Sequence, residues 1–222
     1  MNPRNLFGMT ANIIFSQKFR EDNGVSGWSQ RGFSSPAPHF VKMRVLKRWG
    51  GSNTWIETGT FLGHTSKALS EFAAHVYTIE PDPELYDQAK KSLKQFKNVT
   101  TIHGLSEEKL DTLIGNLSQE EMKDVSFWLD GHFSSGITFQ GPIDTPIVLE
   151  LGLIAERLTT LGNITVFVDD IRCFDPDNPE YSTYPDLNFL VNWANKSHLF
   201  WTIELDIFIA TNRVPRPYLD KE

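Results

Sequence analysis

The chain contains a single cysteine, Cys173, in 222 residues, so no intrachain disulfide can form and a reducing, cytoplasmic setting is expected. Positive charge is also scarce. Against 28 Asp and Glu stand 21 Lys and Arg, a formal net charge of -7, which argues against a sequence-independent grip on nucleic acid or on an anionic membrane. No stretch approaches the ~20 consecutive apolar residues that a membrane span needs. The opening MNPRNLFGMTANIIF lacks a long apolar run followed by a small-residue cleavage site. The expectation is a soluble, cytoplasmic protein without a nucleic-acid or membrane partner. Apolar material is not scarce: 40% of the residues are hydrophobic and 12% aromatic, enough for the core of one compact domain.

Residues 1–50 show little periodicity and are rich in Gly, Ser, Pro and aromatics, as in GVSGWSQRGFSSPAPHF. They are expected to form an irregular arm or lid with a short helix around VKMRVLKRW, while residues 51–222 form the domain. From Thr54 onward short β-rich runs alternate with helix-period segments, the pattern of βαβ units and a parallel sheet. Strands are expected at 54–58, 75–80, 99–103, 125–130 and 164–169, each mostly apolar because helices cover both faces. In ELYDQAKKSLKQF, Leu85, Ala89, Leu93 and Phe96 share one helix face, and the lysines point elsewhere. The helix in DTPIVLELGLIAERLTTLG has Asp144 or Thr145 as cap, Pro146 in its first turn and Gly162 as its stop. LNFLVNWANK reads as a helix, and HLFWTIELDIFIATN reads as two strands joined tightly around Glu204–Asp206. The fold class is therefore α/β, a Rossmann-like, doubly wound, mostly parallel sheet closed by an antiparallel pair.

WIETGTFLGHTS joins the first strand to a helix beginning near His64, and Gly59 and Gly63 let the backbone come close to a ligand. It is neither a phosphate loop nor G-x-G-x-x-G. Glu57 lies two residues before the first glycine. Glu80 ends the next strand, where a carboxylate can accept two hydrogen bonds from a ribose diol. An adenosine ligand fits that pair of acids; the other reading of the glycines is a tight strand-to-helix turn.

The segment Glu57-Thr58-Gly59-Thr60-Phe61-Leu62-Gly63 resembles the acid-x-Gly-x-x-x-Gly motif of class I S-adenosylmethionine-dependent methyltransferases. YTIEPDPE and His103-Gly104-Leu105-Ser106 match the family's next two motifs in order. The resemblance, over about residues 54–211, implies a seven-stranded sheet whose final strand lies antiparallel beside the fifth. It implies that Gly59 and Gly63 pass under the methionyl part of S-adenosylmethionine and that Glu80 holds its ribose. Thr65, Ser66 and the helix start at His64 would offer N–H groups to its carboxylate.

Asp130, in VSFWLDGHFSSG, and Asp169-Asp170, in ITVFVDDIRCF, end two strands that open on the same crevice. Crowded carboxylates need a cation, a proton or basic partners. Spacing leaves two readings open: a site for Mg²⁺ or another divalent cation, or acids that cap and pair with Arg172 or Arg31. The trio is similar to the ligand set of metal-dependent O-methyltransferases, especially the macrocin and sugar type. That resemblance implies a metal at Asp130, Asp169 and Asp170, with Asp130 also serving catalysis and the cofactor. In the sugar type an Asp-Gly-Asp motif supplies the base; here His132 stands at the second acid, and a neutral imidazole can take a proton at neutral pH. The implied activity is methyl transfer to a hydroxyl of a small polyhydroxylated molecule. A metal-independent enzyme of the same fold and a non-catalytic adenosyl-ligand-binding protein are the alternatives.

Tyr181 and Tyr184, in a loop beyond the acidic pair, and Trp28 and Arg31 in the arm are the candidates for substrate contact. A surface or homodimer contact fits the arm equally well. The remaining histidines show no zinc-site spacing, and Cys173 reads as a buried thiol.

Overall fold

The computed structural model describes residues 21–131 and 145–217. His132 and Asp144, expected as base and helix cap, lie outside the described residues, as do the first twenty residues of the expected arm. Seven strands, β1 (Thr54–Thr58), β2 (His75–Glu80), β3 (Val99–His103), β4 (Asp124–Leu129), β5 (Asn163–Val168), β6 (Phe200–Glu204) and β7 (Ile207–Thr211), form one sheet in the order β3-β2-β1-β4-β5-β7-β6. β1 to β5 pair in parallel, and β7 runs antiparallel to both β5 and β6. This is the Rossmann-like sheet that the sequence implies, with its last strand beside the fifth.

Helices occupy 21–30 (α1), His39–Trp49 (α2), His64–Ser70 (α3), Pro83–Leu93 (α4), Ser106–Gly115 (α5), Ile147–Arg157 (α6) and Leu187–Lys196 (α7). Strand alternation sends neighbouring side chains to opposite faces, so β1 gives Ile56 to one layer and Trp55 to the other, and β4 likewise divides Phe127 and Trp128. One layer packs Leu110, Leu151, Ile154 and Leu190 of α5, α6 and α7 on the sheet. The opposite layer packs Val45, Leu46 and Trp49 of α2 with Leu69 of α3. Trp55 stacks on Phe167 at 5.5 Å, near-parallel at 14°. α2 is thus fixed by core contacts within the same fold as the sheet.

Several boundaries differ from the sequence reading. β4 and β5 each stop one residue early, so Asp130 and Asp169 stand just past the strand ends. β3 is only partly buried, because it is an edge strand with one neighbour. Residues 21–30 are helical where an irregular arm was expected. Phe96 lies beyond α4, in the turn that follows it. Asp82 caps that helix, its Oδ1 accepting the N–H groups of Glu84 at 2.8 Å and Leu85 at 2.9 Å. Pro146 occupies the cap position of α6 rather than its first turn, and the helix tightens into a 3-10 turn at Leu158–Thr160 before reaching Gly162.

Candidate active site

The carboxyl ends of β1, β2, β4 and β5 open on one crevice, and the positive-φ residues Gly59, Phe61, Gly63 and Asp170 lie in the loops that follow β1 and β5. Gly59 has φ +85° and Gly63 +78°. A Cβ at Gly59 would stand 2.6 Å from the Asp130 carbonyl oxygen, so this loop touches the end of β4 backbone to backbone. Its N–H donates to the Ile79 carbonyl at 3.0 Å, which ties the loop to β2 as well. Gly59→Ala therefore meets both a left-handed conformation and a backbone overlap. It is expected to destabilise the fold by about 2 kcal/mol or more, read as a lower melting temperature, with loss of ligand affinity.

Glu57 points away from solvent. It is 1% exposed, and its Oε2 accepts from Thr78 Oγ1 at 2.7 Å and from Ser66 Oγ. Burial pushes its carboxyl up to about 7. Glu57 and Ser66 thus lock α3 to β1 and β2 beneath the glycine loop. Thr60 is buried beside them, 2.5 Å from Thr78 Oγ1. The hydroxyl of the half-buried Thr65 lies 3.2 Å from His39 Nε2, joining α3 to the start of α2. Glu80 ends β2 with one backbone N–H on each carboxylate oxygen, Phe61 at 2.7 Å and Asp82 at 3.0 Å. Each oxygen keeps a lone pair, the arrangement a vicinal diol requires. Beyond β3, Gly104 has φ +141°, and Leu105 leads into α5, whose first residue is the buried Ser106.

Asp130, Asp169 and Asp170 converge as the sequence predicts, each offering a carboxylate oxygen within 4.8 Å of the others. Asp170 has φ +54°, a left-handed turn that Asp tolerates better than most residues. Asp169 is 5% exposed; among the described residues its Oδ1 has no hydrogen-bond partner. Its Oδ2 receives Lys42 Nζ at 2.5 Å, and the same ammonium lies 3.4 Å from Asp170 Oδ1. Burial and the adjacent Asp170 raise the Asp169 carboxyl, with Lys42 opposing them. Burial works against the Lys42 ammonium, but Asp169 and Asp170 outweigh it and hold it above its ordinary value. Arg172 reaches Asp170 Oδ1 at 2.5 Å and also pairs with the buried Asp206. Pairing with Arg172, one of the two alternatives left open by spacing, is thus present.

The substrate candidates divide. Tyr184 is buried, edge-on to Phe174 at 5.4 Å and to Tyr181 at 6.0 Å. It lines a small cavity with Asp169, Gly131 and Glu150. Arg31 donates to the Pro36 carbonyl at 3.3 Å, while Trp28 donates to the Ser34 carbonyl at 2.8 Å and sits edge-on to Phe33. Both arm residues make contacts within the arm rather than with the acidic trio.

Sequence reasoning passed over Lys42 and Glu150. Lys42 falls on the buried stripe of α2 with Val45, Leu46 and Trp49, so a lone lysine on an apolar helix face was the available signal. Glu150, one turn into α6, is 1% exposed, and burial pushes it up to about 7.

No family model matches the chain. It is 33% identical over 105 residues to a protein-L-isoaspartate O-methyltransferase of Photobacterium profundum, covering 46% of this chain and 48% of that protein. It is 31% identical over 111 residues to ribosomal RNA small subunit methyltransferase A of Syntrophus aciditrophicus, covering 47% and 39%. The chain therefore spans half or less of the length of these curated relatives. Among solved structures, SAH-bound methyltransferase PaMTH1 of Podospora anserina superposes with TM-score 0.48 at 14% identity, covering 91% of this chain and 94% of that one. A SAM-dependent methyltransferase of Aquifex aeolicus gives 0.47 at 14%, covering 76% and 86%. The expectation of no nucleic-acid partner needs correction: one relative is a ribosomal RNA methyltransferase and the other a protein methyltransferase, so a net charge of -7 excludes neither acceptor class. Average charge describes the whole surface, whereas a macromolecular acceptor needs only a local contact. No helix among the described residues is long and apolar enough to cross a membrane. Strand order, a glycine loop under the crevice and two methyltransferase relatives thus converge on one kind of protein that this chain is similar to.

Proposed function

We propose that the chain is an S-adenosylmethionine-dependent methyltransferase acting on a hydroxyl of a small polyhydroxylated molecule. The observation that carries this reading is the Gly59 loop pressed on β4, leaving no side chain between backbone and crevice, with the Glu80 carboxylate at the next strand end. The cradle that a Cβ would fill is what an adenosyl ligand passing close to the backbone needs.

S-adenosylmethionine, when bound, supplies an electrophilic methyl group, which an acceptor oxygen takes as the carbon–sulfur bond breaks and the neutral thioether leaves. The chain then has three tasks. Glu80 holds the ribose diol. The crevice aligns the acceptor oxygen with the methyl, and positioning two reactants is the larger part of such catalysis. Asp169 takes the hydroxyl proton on its unpartnered Oδ1, while Lys42 steadies the charge on Oδ2. His132 remains a second candidate for that proton from its sequence position alone.

The acidic trio offers a suitable oxygen donor set for Mg²⁺. The ammonium of Lys42 already lies on two of the three carboxylates, so a divalent ion does not fit the arrangement present. That contact favours the metal-independent reading.

Calorimetric titration with S-adenosylmethionine, followed by a screen of hydroxyl acceptors for release of S-adenosylhomocysteine, tests the proposal. Glu80→Gln should weaken cofactor binding about tenfold, or ~1.4 kcal/mol, through loss of one of two acceptor oxygens. Absence of any cofactor heat with wild-type protein would remove the reading.

A further inference from the structure

Three carboxylates brought within 4.8 Å of one another repel unless a positive charge lies among them. In enzymes with oxygen-only donor sets that charge is commonly a metal ion. Here a side chain of the chain itself is in place. Lys42 Nζ is 2.5 Å from Asp169 Oδ2 and 3.4 Å from Asp170 Oδ1, and its side chain is only 12% exposed. We propose that Lys42 is the resident cation of this centre, filling the position among Asp130, Asp169 and Asp170 that a divalent ion would take and excluding that ion.

Three features support this assignment. The first is anchorage. Lys42 continues the stripe of Val45, Leu46 and Trp49, which bury against Trp55, Trp128 and Phe167, so the backbone that carries the ammonium is held by core packing. Removing it from the trio would require its long side chain to find another partner within a crowded crevice. The second is competition at Asp170. The same Oδ1 that faces Lys42 also receives Arg172 at 2.5 Å, so a metal binding there would displace two cations rather than fill a gap. The third is donor number. An ammonium has three N–H groups; Asp169 and Asp170 take two, which leaves one to hold an incoming oxygen. A metal would likewise hold and polarise an acceptor oxygen, but a monovalent ammonium does so without the open coordination positions and exchangeable waters of a divalent ion.

Occupation of the trio by Lys42 is independent of what the crevice binds, whereas the hold on an acceptor oxygen rests on the methyl-transfer reading above. The test keeps the two apart. Mn²⁺ is titrated into the full chain and followed by electron paramagnetic resonance and calorimetry, with and without S-adenosylhomocysteine, in wild type, Asp169→Asn, Lys42→Met, Lys42→Arg and Lys42→Met/Asp169→Asn. Thermal unfolding identifies any variant that does not fold.

The expected result is weak, non-stoichiometric Mn²⁺ binding by wild type and by Lys42→Arg, which keeps the cation. Lys42→Met should gain one Mn²⁺ site at least tenfold tighter, and adding Asp169→Asn should remove that site. Stoichiometric Mn²⁺ binding by wild type, lost on Asp169→Asn, would overturn the proposal. So would equally weak binding by wild type and a folded Lys42→Met, because the trio would then be no cation site for Lys42 to fill. If Lys42→Met does not fold, Lys42→Arg decides: Mn²⁺ binding that appears with the cation still present would also overturn it. Failure of S-adenosylhomocysteine to bind would sink the methyl-transfer reading and leave these metal results legible.

Discussion

Asp169→Asn is expected to lower the methyl-transfer rate by about 10²–10⁴-fold, the range for losing a positioned proton acceptor, while leaving S-adenosylmethionine affinity essentially unchanged. The change keeps the size of the side chain and removes its charge. Oδ1 of Asp169 is buried and unpartnered among the described residues, so it is the atom of the pair with an acceptor lone pair to offer the incoming proton. The amide cannot take the proton. Lys42 loses the charge of its 2.5 Å partner and keeps only Asp170, at 3.4 Å, as a charged one. Asp170→Asn should cost much less in rate, because its Oδ1 already serves Lys42 and Arg172. Single-turnover rates with a labelled methyl group, measured with whichever acceptor the screen returns, check the pair. Equal losses in the two variants would point to charge balance in the cluster rather than to proton removal at Asp169.

The sheet was largely legible because each strand carries its own signal. β1, β2 and β3 have the residue bounds that the runs of β-branched and aromatic residues indicate, and the turn at Glu204–Asp206 is tight because Leu205 adopts φ +58°. Side-chain alternation and capping are local, so a linear reading finds them. The convergence of Asp130 with Asp169 and Asp170 was legible for a different reason: parallel strands of one sheet must open their carboxyl ends on the same side. The partner of that cluster was not. Lys42 lies 127 residues away from Asp169 in sequence, on a helix whose packing against Trp55 and Phe167 depends on the completed sheet. Glu57 shows what packing adds to a motif position: its Oε2 accepts from Ser66 and Thr78 beneath the glycine loop. Spacing indicates that a residue is near a site; only packing decides which way it faces.

That burial has its own measurable consequence, at Glu57 and Glu150 together. Both carboxyls are 1% exposed, and burial pushes each from 4.5 up to about 7. Below pH 4.5 they are protonated in folded and unfolded chains alike, and their favourable contribution is complete. Between pH 4.5 and about 7 the unfolded chain releases protons that the folded chain retains, so stability falls as pH rises through this window. Above about 7 both are ionised in place, and the full cost has been reached. At ~1.4 kcal/mol per pH unit the cost is about 3 kcal/mol for each carboxyl, large against the 5–15 kcal/mol that typically holds a domain together. Glu57→Gln/Glu150→Gln should flatten this part of the pH profile, because an amide of the same size carries no proton to lose. Melting temperatures from pH 5 to pH 8 should fall in the wild type and fall markedly less in the double variant. Asp169 titrates in both proteins, so the difference between the two curves isolates the glutamates. Parallel curves would mean that neither carboxyl changes its proton on unfolding, and that hydrogen bonds to Glu57 from Ser66 and Thr78 offset its burial.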